Sequence, residues 1–181
     1  MRLFVAVELP GEVKDELVRT IDRARSAAPD ARWISRENLH LTLVFLGEVA
    51  EERIPAIEAA LGRAAAKHAP IATRLGGAGA FPSSRRARVL WVGLDDPDGA
   101  LGRLAVACAH ALEPLGFTPE SRPWTAHLTI ARFRTPVTAS AIVEADVAPV
   151  PFTASEITLF RSRLGRPAPR YEAVARVPLG A

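Results

Sequence analysis

The chain has 181 residues, 49% of them apolar and 24% charged, with a net charge of +3. That balance suits one globular domain, or two similar lobes of one domain, and excludes wholesale disorder. A single cysteine, Cys108, excludes an internal disulfide and a cysteine-built zinc site, and no apolar run approaches the roughly 20 residues of a membrane span, so a cytoplasmic protein with no membrane partner is expected.

In chain order, residues 2–8 predict a strand, broken by Pro10 and Gly11. Val13, Leu17, Val18 and Ile21 recur at helical spacing over 11–27, with acids early and Arg late. Residues 39–46 predict a buried strand stopped at Gly47, and Ile54, Ile57 and Leu61 a helix over 51–67. An extended segment over 70–79 and a strand over 87–94 follow. A third helix fits 98–115, with Asp98 as its cap. Then come a strand over 125–132, a short helix over 138–145, and strands over 151–161 and 170–177.

The two halves match. Leu3-Phe-Val-Ala-Val aligns with Val89-Leu-Trp-Val-Gly, and His40-Leu41-Thr42-Leu43 with His127-Leu128-Thr129-Ile130, at a nearly constant offset of 86–87 residues. That offset indicates an internal duplication, and its period is too long for a solenoid. The expected fold is α+β: two pseudo-symmetric lobes of antiparallel sheet with outer helices around a central concave groove, all within residues 1–181.

Charge is unevenly spread. No acid occurs from Ala59 to Leu94 or from Ile157 to Tyr171, where Arg85, Arg86, Arg88, Arg161, Arg163, Arg166 and Arg170 sit. These are candidate anion-binding edges. Arg85 and Arg86, in a Ser-Ser-Arg-Arg turn, are the candidates for contact with an anionic substrate.

The chemistry resides in the repeated His-x-Thr. On a strand, residues i and i+2 share a face, so each histidine points the same way as its threonine while Leu41, Leu43, Leu128 and Ile130 point into the core. Two imidazoles facing across a cleft suit an ester displacement. One neutral ring takes a proton and one charged ring gives it, both states being accessible near neutrality. The threonine hydroxyls can donate to phosphoryl oxygens. Neither motif has an acid within four residues on the His–Thr face, so no metal or other cofactor is expected. His68 and His110 fit the ends of helices, and Cys108 a buried helix position. Trp33, Trp91 and Trp124 fit the core.

These motifs and their flanks, Arg2–Pro10, Arg32–Gly47, Arg88–Leu94, Trp124–Arg132 and a late segment ending near Tyr171, resemble the 2H phosphoesterase superfamily. More narrowly, they are similar to the bacterial and archaeal RNA 2',3'-cyclic phosphodiesterases, formerly called 2'-5' RNA ligases. The resemblance implies hydrolysis of an RNA 2',3'-cyclic phosphate end to a 2'-phosphomonoester, with reverse 2'-5' ligation as a side activity. It implies His40 as general acid, His127 as general base, Thr42 and Thr129 on the non-bridging oxygens, and Arg132 at the phosphate. Ala126 stands where the family usually has Pro before the second motif, a departure expected to shift strand entry without removing activity. Strict alternation turns Arg132 away from His127, so either a β-bulge re-aims it or it folds back from the strand end. Phe45, at the same offset from His40, could stack a base, although core packing is the commoner role for such a residue. The two lobes would complete the site within a monomer. The alternatives are an RNA-end binding module without turnover and a phosphodiesterase acting on a small cyclic nucleotide or a 2'-5' oligonucleotide.

Overall fold

The computed structural model describes residues 1–144, 146–165 and 168–180. Arg166 of the second basic run, and Ala145 at the end of the expected 138–145 helix, lie outside the described residues.

The strands are β1 (Arg2–Glu8), β2 (Arg32–Trp33), β3 (His40–Glu48), β4 (Ile71–Phe81), β5 (Ala87–Leu94), β6 (His127–Val137), β7 (Pro151–Ala154), β8 (Glu156–Arg163) and β9 (Arg170–Pro178). The helices are α1 (Gly11–Ala24), α2 (Ile54–Ala65), α3 (Ala100–Leu112) and α4 (Ser140–Val143). One sheet has the order β3-β1-β8-β9 and the other β2-β6-β5-β4-β7. The run β3-β1-β8 corresponds to β6-β5-β4, so the duplicated strands occupy equivalent places in two pseudo-symmetric antiparallel lobes. Helix α2 packs on α3 and on β8 and β9, α3 on β3, and α4 on β4.

The helices form because their apolar stripes find the sheets. In α1, Val13, Leu17 and Ile21 are buried at the expected spacing, and in α3, Leu101, Leu104, Cys108 and Leu112 are. Burial pushes the Cys108 thiol up to about 12, so it stays a neutral core group. Gly47 ends the core stretch of β3 at φ 70°, a conformation that side chains with a Cβ avoid.

Three expectations are corrected, and one strand is added. Asp98 does not cap α3. Gly99 holds the cap position at φ 67°, and the Asp96 carboxylate accepts from the amides of Leu101 and Gly102 instead. The 151–161 strand is two strands separated at Ser155, each pairing with a different lobe. The second motif strand starts at His127 and runs on to Val137. The two-residue strand β2, paired to β6 through Arg32 and Trp33, carries no alternation that a sequence reading could use.

Both motif strands are bulged at the same place. Ala6 stands opposite Thr42 but Val5 opposite Val44, leaving Leu43 as the extra residue. Trp91 stands opposite Thr129 but Leu90 opposite Ala131, leaving Ile130. Each bulge lies three residues beyond its histidine, and each reverses the phase of the strand after it.

Candidate functional site

His40 and His127 open β3 and β6 and are held in the same way. His40 Nδ1 donates to the Asn38 carbonyl at 2.7 Å, and His127 Nδ1 to the Thr125 carbonyl at 2.8 Å. A carbonyl only accepts, so each bond puts the proton on Nδ1 and leaves Nε2 for other work. At His40 that nitrogen accepts from the Thr42 hydroxyl at 2.9 Å.

The surroundings then differ. The His40 ring lies 4.9 Å from Phe4, 6.4 Å from Phe160 and edge-on to Tyr171 at 5.3 Å. Burial there, reinforced by the charges of Lys14 and Arg132 and opposed by the Asn38 bond, pushes His40 down to about 4. It is neutral at pH 7 in the unliganded protein. His127 meets the edge of Phe81 at 5.0 Å and Trp91 at 6.4 Å. Trp91 is therefore not a core residue. Its ring lies against Gly79, where a Cβ would come within 2.1 Å of it.

The bulge at Ile130 decides the placement of Arg132. Ile130 and Ala131 are both buried, and Arg132 is exposed on the side of His127 and Thr129. Its charge acts on His40 and Tyr171, groups of the other lobe. The bulge at Leu43 likewise turns Phe45 outward, and Phe45 is 58% exposed, 6.3 Å from Phe4. Phe45 therefore does not pack in the core. The two lobes meet here, with β3 and β6 in contact and Trp124 Nε1 donating to the Thr42 carbonyl at 3.1 Å. Trp33 and Trp124 pack against the core from its edge. A cleft of about 160 Å³ opens beside His40, lined by Lys14, Leu39, Phe160, Tyr171 and Arg176 among others.

Arg85 and Arg86 stand apart from the histidines. They occupy a 3-10 turn ahead of Ala87, six residues along β5 from Gly93, which is opposite His127. That separation is roughly 20 Å. Both are exposed, with no ion pair among the described residues. The second basic run is partly neutralised, with Arg161 paired to Glu51 and Arg163 to Glu172. Among the described residues, no three His, Cys, Asp or Glu side chains gather as metal ligands.

Sequence reasoning missed the Asn38 and Thr125 carbonyls, which have no side-chain signal, and the ring partners Phe4, Phe81, Phe160 and Tyr171. Those meet the histidines through the pairing of strands distant in sequence, which no residue pattern records.

A family model described as the 2'-5' RNA ligase superfamily matches residues 13–166. The chain is 34% identical over 179 residues to an RNA 2',3'-cyclic phosphodiesterase of Geobacillus stearothermophilus, covering 97% of this chain but 56% of that protein. It is 32% identical to the Escherichia coli RNA 2',3'-cyclic phosphodiesterase, covering 97% and 94% of the two chains. Among solved structures, a Thermus thermophilus protein superposes with a TM-score of 0.86 at 31% identity, over 99% and 98% of the chains. Apo Escherichia coli LigT gives 0.79 at 30% identity over the same shares, and LigT has also been crystallised with phosphate and with 3'-AMP.

Proposed function

The chain belongs to the 2'-5' RNA ligase superfamily, a two-histidine phosphoesterase of the RNA 2',3'-cyclic phosphodiesterase family, and from that premise we propose that it opens RNA 2',3'-cyclic phosphate ends to 2'-phosphomonoesters without a metal. The observation that carries this reading is the duplicated, bulged His-x-Thr strand. In each lobe it presents an imidazole with Nε2 free of the backbone, and a hydroxyl on the same face.

In the proposed reaction His127 Nε2 takes a proton from water as the oxygen attacks phosphorus. The P–O3' bond breaks and His40 Nε2 gives its proton to O3'. Thr42 and Thr129 donate to the non-bridging oxygens, and Arg132 offsets the charge that builds there. An acid must begin protonated, and His40 is neutral in the unliganded chain. The anionic phosphodiester supplies the remedy. Seated between Arg132 and His40, its negative charge opposes the burial that chiefly holds His40 down and offsets the lesser effect of Lys14 and Arg132, so the proton arrives with the substrate. Phe45 offers an exposed face on which the terminal base stacks. With a 5'-hydroxyl in place of water, the same machinery joins a 2',3'-cyclic phosphate end to that hydroxyl through a 2'-5' linkage: His127 takes the hydroxyl proton, and the P–O3' bond breaks with His40 protonating O3'.

The test is incubation of a short RNA ending in 2',3'-cyclic phosphate with purified protein in EDTA, resolving 2'- from 3'-phosphate products. Conversion to the 2'-phosphate is expected, and His40→Ala and His127→Ala each slow it on the order of a hundredfold or more. A cyclic phosphate with sulfur bridging at the 3' position needs no acid for its leaving group. It should rescue His40→Ala and leave His127→Ala impaired. Binding without conversion would make the chain an RNA-end binding module.

A further inference from the structure

The two histidines share a backbone hold, but a second layer of support stands behind His40. Asn38, whose carbonyl receives His40 Nδ1, is itself only 7% exposed. Its side-chain amide reaches 131 residues along the chain to donate to the Pro169 carbonyl at 2.8 Å. Pro169 stands at the entry to β9, and two residues later Tyr171 sets its ring edge-on to His40 at 5.3 Å and to Phe4 at 5.0 Å. A single buried amide thus links two of the groups that hold the imidazole, the Asn38 carbonyl and the Tyr171 phenol ring. A buried polar side chain is costly unless it is bonded, and this one spends its donor on a segment from the far end of the chain.

We propose that Asn38 is a positioning residue for the reaction, its amide clamping Pro169 so that the Asn38 carbonyl and the Tyr171 ring together hold His40 with the proton on Nδ1 and Nε2 aimed at the substrate. This rests on the two-histidine reading above. Losing the clamp leaves the ring in place but frees its tilt, and misplacement of a catalytic group by about 1 Å costs on the order of a hundredfold in rate.

The experiment joins single-turnover kinetics on the cyclic-phosphate RNA with imidazole ¹⁵N spectra of Asn38→Ala and Asn38→Asp. The second variant keeps the size of the side chain but cannot donate. Wild-type His40 should show one tautomer, protonated at Nδ1. Both variants should lose kcat about 10- to 100-fold with KM within about twofold, and His40 should become a mixture of tautomers. Wild-type kcat in Asn38→Ala, or a lowered melting temperature with kcat per folded molecule and the His40 spectrum unchanged, would overturn the proposal by leaving Asn38 a packing residue. So would wild-type His40 protonated at Nε2. If the wild-type protein fails to turn over the RNA, the functional reading falls, while the wild-type and variant spectra still decide the clamp.

Discussion

His40 carries a cost as well as its proposed role. A histidine pushed down to about 4 in the folded chain titrates near 6.5 when unfolded. Between those values the unfolded chain binds a proton that the folded one does not, so stability falls as pH drops through this window. The term is fully felt below the folded value and amounts to up to about 3 kcal/mol. Urea unfolding at pH 7 and pH 4.5 should therefore show a loss in the wild-type protein that His40→Gln does not share, since every other titrating group is common to both. Equal losses would mean that the imidazole is better solvated than its aromatic neighbours imply. In the proposed mechanism, this burial is the reason the substrate's own charge would be needed to load the acid.

At the scale of single elements, the bulged strands connect packing to chemistry. The alternation that buries Leu41 and Leu128 and presents His40 and His127 is plain in the sequence, because a period of two is written in the residue types. The slip at Leu43 and Ile130 is not, because it is a property of the pairing with β1 and β5. For that reason Phe45 reads as a core residue by pattern and stands exposed in the fold, and Arg132 needs a bulge that alternation alone cannot supply. The Asp98 cap fails for a related reason: Asp95, Asp96 and Asp98 all stand ahead of α3, and only the chain's path through Gly99 selects Asp96. The Trp91–Gly79 contact across β5 and β4 tests the second lobe. A methyl at Gly79 would meet the indole at 2.1 Å, and the ring's escape is hemmed by Phe81 at 5.2 Å and His127 at 6.4 Å. Gly79→Ala should cost about 1–3 kcal/mol as overpacking and lower kcat by displacing the ring toward His127. Adding Trp91→Leu should recover stability, giving a non-additive double-mutant cycle. Strict additivity by thermal melts would show that the ring does not lie on Gly79.

Across the whole molecule, the pseudo-two-fold is broken by charge. The first lobe offers the site an aromatic face of Phe4, Phe45, Phe160 and Tyr171. The second sets Phe81 and Trp91 against His127 but adds Arg132, and beyond it the arginines continue outward. Arg134 is exposed on the same strand, Arg88 donates to the Arg134 carbonyl at 3.0 Å, and Arg86 and Arg85 lie at the turn ahead of β5. We propose that this asymmetry would give a bound RNA a direction, with the terminal base over the first lobe and the chain leaving along the second. If that trail is used, Arg85→Ala/Arg86→Ala should raise KM for a longer RNA with a cyclic end and leave a mononucleoside 2',3'-cyclic phosphate unaffected, because the turn lies roughly 20 Å from His127 along β5. The salt dependence of kcat/KM for the longer RNA should fall by about one to two in log–log slope, the signature of one or two lost phosphate contacts. Equal KM and equal slopes would make the turn a solvated surface. The substrate would then be a nucleotide no longer than the cleft beside His40 and the exposed face of Phe45, and the same two histidines would be serving a small cyclic phosphate.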